Sequence, residues 1–306
     1  KGETRYSLKL LPFGGSCMML GEDENESDPK AFNNKPVWAR IAVVFAGPLF
    51  NFLLAMVLGI IIVHAVGFDS PTLTDVQPGF SAEEQGMQAG DVITKLNHEP
   101  VVVYRDITIY MMLHPSDPVD VEFKRLASDG VTWEKHTVTL TPRYSDENGR
   151  YMLGIVVSGR YTKAQGIGET LKYGIYEMVY SVKTTIKSLG MMIHGQVGRD
   201  DVAGPVRMVS MIDETVEETI PYGMSAVILT LVNLCMLLSA NLGVMNLLPI
   251  PALDGGRLVF LILEVLRGRP IDKEKEGMVH MAGMAALMVL MVLVLFNDIS
   301  ILFKGV

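Results

Sequence analysis

The chain has 306 residues, 49% of them hydrophobic, a net charge of −8 and a mean hydropathy of +0.31. It is too apolar for an ordinary soluble domain and too polar for a pure helical bundle, so membrane spans plus at least one water-soluble domain are expected. The acidic balance argues against nucleic acid as a partner, and Cys17 and Cys235 imply no disulfide framework.

The first segment, residues 1–39, opens with KGETRYSLKLLPFGGSCMML, which alternates in places like strands. Gly14-Gly15 supplies a turn between two apolar runs, so a membrane-associated β-hairpin is expected over residues 4–20. An acidic loop, GEDENESDPKAFNNKP, follows. Residues 40–67 are apolar for longer than the roughly 20 residues a bilayer requires. They also hold Asn51 and the pair Gly47-Pro48. Over 70–159 short β-rich runs alternate with turn residues, which predicts a soluble β-rich domain. In 160–222, Lys and Glu recur through apolar sequence, and amphipathic membrane-surface helices are expected. Residues 223–306 hold two more spans, over 223–245 and 279–296, separated by NLLPIPALDGG and the short helix RLVFLILEVLRG. Twenty methionines read as flexible filler in lipid-facing helices.

Basic residues orient this arrangement. Lys30, Lys35 and Arg40 precede the first span, and Arg267, Arg269, Lys273 and Lys275 lie between the last two. Both loops are therefore expected in the cytoplasm, with the β-rich domain and the chain end outside.

The segment from Asn246 to Arg257, NLLPIPALDGGR, carries the chemistry. Pro249 and Pro251 push residues 248 and 250 toward extended geometry. The backbone groups this frees are tolerable at membrane depth only where they face protein or a wet cavity. Gly255 and Gly256 let the backbone approach closely. Asp254 is an ionisable residue at membrane depth, where such residues are costly and usually functional. Its natural partner is a metal ion or a cationic side chain; the plainer role is capping the helix that follows. Asn246 either hydrogen-bonds substrate or satisfies the broken backbone. Asn51 either positions the loop near residue 246 or makes an interhelical hydrogen bond. A free extended edge here would also bind an unwound peptide by strand addition, with the hairpin around Gly14 and Gly15 as a second edge. Asn297-Asp298 reads as a helix terminus at the membrane surface, and His64 and His280 as core or interface histidines.

These residues carry a resemblance. Asn246 to Gly256 resembles the NxxPxPxLDGG motif of the site-2 protease family, zinc metalloproteases that cut within membranes. The likeness extends along most of the chain and is nearest the bacterial regulator-of-sigma-factor proteases. TRYSLKLLPFGGSCMML is similar to the family's membrane-reentrant β-loop and AGPLFNFLLA to its second transmembrane helix. Residues 76–100 resemble a PDZ domain of the bacterial periplasmic type, and DDVAGPVRM and FNDIS also match the subgroup. The implied fold is a polytopic α-helical membrane protein with an inserted β-rich PDZ-like domain and a membrane-associated hairpin. The implied cofactor is Zn2+, with Asp254 as its third ligand and Asn246, Pro249, Pro251, Asn51, Gly14 and Gly15 near substrate. Implied substrates are single-span membrane proteins, such as anti-sigma factors or remnant signal peptides, in the bacterial cytoplasmic membrane. The PDZ-like domain would contact a peptide or screen substrate ectodomains.

The resemblance also implies an HExxH pair on a preceding helix, whose two His bind the ion and whose Glu activates water. This sequence has no HExxH: His64, His98, His114, His136, His194 and His280 stand alone. A chain that lacks its natural start is the expected explanation, with a non-catalytic membrane scaffold as the alternative. A transporter with broken helices is a third reading, but no second copy of the broken segment marks the internal repeat such proteins carry.

Overall fold

The computed structural model describes residues 7, 19–21, 27–196, 198 and 203–304. The expected hairpin, with Gly14 and Gly15, lies outside the described residues apart from positions 7, 19 and 20. In order, the chain forms α1 (Val37–Ala65), β1 (Leu73–Val76), α2 (Ser81–Glu84), β2 (Val92–Leu96), β3 (Glu99–Pro100), α3 (Tyr104–Leu113), β4 (Val119–Leu126) and β5 (Trp133–Leu140). Next come β6 (Arg143–Ser145), β7 (Arg150–Met152), β8 (Ile155–Val157), α4 (Gly166–Ile193), α5 (Pro205–Thr219), α6 (Met224–Leu247), α7 (Asp254–Arg267) and α8 (Lys273–Lys304). It divides into two compact units, Lys1–Gly47 with Leu247–Met288, and Pro48–Asn246 with Val289–Val306.

Among the described residues three helices are long and apolar enough to cross a membrane: α1, α6 and residues 274–301 of α8. Many of their large apolar side chains face outward. Phe50 is 67% exposed and Phe296 likewise 67%. Apolar surface on this scale is stable against lipid, not water.

In the second unit the β-rich region forms an antiparallel sheet in the order β3-β2-β4-β5, with β1 paired to β8 and β6 to β7. Strand β4 buries Val119, Val121 and Phe123, the every-second-residue pattern of a half-buried strand. Strand β2 buries Ile93 and Leu96, an odd spacing made possible by the register shift between Ile93 and Lys95. Helix α3 covers the sheet with Ile107 and Tyr110. Buried Asp91 receives a two-pronged bond from Arg125, both contacts at 2.7 Å, which ties the loop before β2 to β4.

Helix α4, expected as an amphipathic helix supporting the β-rich domain, is packed on two sides. Toward α1, a Cβ on Gly174 would run into the backbone of Ile60, and one on Gly59 into the carbonyl of Gly174. Small residues let the two helices touch at main-chain distance. Toward the β-rich region, the contact is ionic. Arg105 joins Asp69 at 2.9 Å and also pairs with buried Glu177. Buried Asp106 accepts from the backbone of Val102 and Val103, from the Tyr176 hydroxyl and from Lys183. Lys187 reaches Glu99 at 2.6 Å. Burial works against the Arg105 charge, but Asp69 and Glu177 outweigh it and hold its pKa above the ordinary value. Burial pushes the Glu177 carboxyl up, with Arg105 pulling it only partly back. The Lys and Glu spacing of α4 thus marks a face docked on the β-rich region.

The expectation for Asn297-Asp298 also needs correction. Asp298 lies inside α8 and is fully buried. Its carboxylate accepts the amides of Gly204 at 2.9 Å, Val206 at 3.1 Å and Arg207 at 3.2 Å, the exposed donors at the start of α5. Two motifs noted separately in the sequence are therefore partners.

Candidate functional site

The first unit contains the broken segment. Helix α6 stops at Leu247 because Pro249 disfavours helical geometry at Leu248. The chain does not then run extended, as the sequence suggested; it folds into turns. The Ile250 amide donates to Leu248 O at 2.7 Å, and the Leu253 amide to Ile250 O at 3.2 Å. With Pro251 at its second position and Ala252 at φ +79° in its third, the Ile250–Leu253 turn has the signature of type II. Gly or Asn is usual at that third position. An alanine there costs on the order of 1 kcal/mol. No strand edge is formed for peptide addition by these residues.

Leu253 is extended and serves as the N-cap position, so Asp254 is the first residue of α7 and not its cap. The carboxylate still gains from the helix dipole at that end. The two glycines that follow are sterically required. A Cβ on Gly255 would fall on the carbonyls of Leu247 and Leu248, and one on Gly256 on the carbonyl of Ile250. The close approach for which glycine is needed is therefore made by the chain's own turn, folded down on the first turn of α7.

Asp254 is half-buried. Among the described residues its carboxylate accepts no hydrogen bond and joins no ion pair. Gly47 of α1 faces it: a Cβ there would sit 3.1 Å from Asp254 Oδ2. The next residue, Pro48, lies within α1 and removes one helical hydrogen bond from it. Around them Val44, Leu258 and Leu261 form an apolar core with Phe32, Val37, Ile41 and Leu247. Arg40 and Glu264 pair across the same two helices, with side chains only 14% and 15% exposed. A cavity of about 140 Å³ beside them is lined by Arg40, Val44, Arg257, Leu261, Glu276 and His280, among others.

A carboxylate without a partner among the described residues, with a side-chain-free position opposite, fits one oxygen donor of a zinc site, where such bonds are about 2.0–2.2 Å. Among the described residues no group of three or more His, Cys, Asp or Glu could hold a metal.

The other residues singled out in the sequence are distributed as follows. Pro251 packs against Gly283 of α8, where a Cβ would strike it, and Pro249 is exposed. Asn51 and Asn246 belong to the second unit. The interhelical bond considered for Asn51 is made by its main chain: its carbonyl accepts from Ser239 Oγ at 2.9 Å. Asn246 lies in the last turn of α6, half-buried, and among the described residues its side chain makes no hydrogen bond. Sequence reading missed Gly47 as the neighbour of Asp254. It also missed His280, whose Nδ1 accepts the Ala252 amide at 2.9 Å. The only local sign was that a proline inside a span marks a special position.

Comparison with known proteins adds a second line of observation. The sequence model of peptidase family M50 matches residues 1–290. A Clostridium acetobutylicum protein whose name is that of a zinc metalloprotease is 37% identical over 297 residues, covering 97% of this chain and 83% of its own length. Zinc metalloprotease RasP of Bacillus licheniformis is 36% identical, and the regulator of sigma-W protease RasP of Bacillus subtilis 35%. Each covers 90% of this chain, which in turn spans 62% of their length. A solved PDZ domain from Listeria monocytogenes covers 30% of this chain at 17% identity with a TM-score of 0.26, too low to carry an argument.

Proposed function

The chain belongs to peptidase family M50, the site-2 protease family, and on that premise we propose that it acts as an intramembrane zinc metalloprotease in which Asp254 is a zinc ligand. The observation that carries this reading is the Asp254 carboxylate, without a partner among the described residues, at the first position of α7 and opposite Gly47. When bound, zinc supplies Lewis-acid activation of water for peptide hydrolysis at neutral pH.

The chain's own residues do the rest of the work assigned to them here. Asp254 holds the ion. Gly47 leaves room beside the carboxylate, and Gly255 and Gly256 let the turn close over the start of α7. Val44, Leu258 and Leu261 pack α1 against α7. The remaining donors and the general base are read, by family resemblance, as an HExxH pair on a further helix. None of the six histidines in these 306 residues belongs to such a pair. The second reading is a non-catalytic membrane scaffold.

Substrates in this reading are single-span membrane proteins of the bacterial cytoplasmic membrane, such as anti-sigma factors or remnant signal peptides. The name of the Bacillus subtilis relative, a regulator of sigma-W, supports the first class. The β-rich region is read as a PDZ-like domain on the outer side of the membrane. It would contact a peptide or exclude substrates with bulky external domains. Asn246, Pro249, Pro251, Asn51, Gly14 and Gly15 are assigned to substrate contact.

Metal analysis of the purified full-length protein tests the proposal. About one zinc per molecule is expected, and Asp254→Asn should lose most of it together with cleavage of a single-span substrate. Unchanged zinc in the variant refutes the ligand role; no zinc in either protein favours the scaffold.

A further inference from the structure

Helix α8 grips the turn that leads into Asp254 at two points. His280 Nδ1 accepts the Ala252 amide at 2.9 Å. Three residues on, on the same face of the helix, Gly283 lies flush against Pro251: a Cβ there would stand 2.7 Å from the Pro251 oxygen and 2.9 Å from its carbonyl carbon. The gripped residue is the one that most needs holding. Ala252 occupies a left-handed conformation, φ +79°, at a turn position where Gly or Asn is usual. Only Leu253 separates it from Asp254.

The imidazole is set for this task. An Nδ1 that accepts an amide cannot carry the proton, so the bond selects the neutral tautomer protonated at Nε2. Nε2 lies 3.9 Å from Glu276, and the ring leans on Phe260 at 5.5 Å between centroids.

We propose that His280 is a positioning residue which, with Gly283, clamps the Pro251–Ala252 turn and thereby aims the Asp254 carboxylate at its metal. This rests on the reading of Asp254 as a zinc donor and extends it to a residue outside every ligand motif. His280 acts through the backbone and does not touch the ion.

The test uses the full-length protein in detergent, with two readouts: hydrogen exchange at the Ala252 amide, and zinc content. His280→Phe keeps the ring bulk against Phe260 but offers no acceptor. It should speed Ala252 exchange at least about tenfold and weaken zinc binding about 10–100-fold, as loss of an outer-shell partner does. His280→Asn, which returns an acceptor near the Nδ1 position, should restore both. Adding Ala252→Gly to His280→Phe should restore zinc binding while exchange stays fast, because glycine adopts the turn without being held. A residue that merely packs would not give this crossed pattern. Unchanged exchange in His280→Phe overturns the clamp, and fast exchange with unchanged zinc overturns its link to Asp254. Wild-type protein without zinc defeats the protease reading instead, and the exchange readout still decides on the clamp. Where His280→Phe does not accumulate, His280→Ala serves in its place.

Discussion

The break before α7 and the seat of the β-rich region on α4 solve the same problem with opposite chemistry. Each must fix one piece of chain on another. At the break the means are main-chain turns, two prolines, and glycines at 255, 256 and 283 that allow contact at backbone distance, with a single imidazole bond to Ala252. On α4 the means are polar and charged side chains: Asp69, Arg105 and Glu177 in one group, and Asp106, Tyr176, Lys183, Glu99 and Lys187 in a second. In apolar surroundings an ion pair must repay a large desolvation cost, whereas tight packing needs none. On α4 that cost is offset where a buried acid gathers several donors, as Asp106 does, and a network of long side chains can then hold a whole domain in one orientation.

The sharpest way to break the comparison is Asp106→Ala. It strands two backbone amides and the Tyr176 hydroxyl, leaves Lys183 with only Glu99 at 3.5 Å, and should cost about 4 kcal/mol. Thermal unfolding and protease nicking of the β-rich region would register the loss, while zinc content should stay unchanged. In the full-length protein, on the protease reading, the same variant should admit substrates with larger external domains if that region is a gate. Next in size is Gly255→Val, which places methyl groups on the carbonyls of Leu247 and Leu248 and should cost about 3 kcal/mol. Here the pattern reverses: zinc content falls and the β-rich region stays docked.

The smallest effect concerns acidity. Burial pushes Glu99 up, but the ammonium groups of Lys187 and Lys183 outweigh it and hold its carboxyl below the ordinary value. A lowered acid contributes stability above its unfolded pKa, about 4.3, and loses it as pH falls through the folded value. Glu177, raised by burial, works in the opposite direction. Acidification below about pH 4.3 should therefore loosen the Glu99 end of the seat first. Amide exchange in α4 near Lys187 should show it, and Glu99→Gln should abolish the pH dependence.

What could be read from the sequence was local. Apolar runs long enough to cross lipid announced three spans, and prolines with paired glycines announced the interruption before Asp254. Ends were less legible: the last span, expected over 279–296, lies in a helix that runs Lys273–Lys304, because charged residues extend a helix without adding to its apolar length. Long-range pairings left no trace. Ala252 and His280 are 28 residues apart, Arg105 and Glu177 72, Gly204 and Asp298 94. Nothing in the spacing of Glu177 or Lys183 tells a docked face from a wet one. The type II geometry at Ala252 was hidden too, since alanine is a residue no turn rule would choose there.

The carboxylate of Asp298 has a mechanical consequence. It sits within an apolar helix, yet it is the anchor for three amides at the head of a neighbouring helix. Sliding α8 along its axis by one residue, about 1.5 Å, would strain all three attachments together. The two helices must therefore rise and sink as one piece. A membrane thinner or thicker than the span prefers can be met by tilting that pair, not by shearing one past the other.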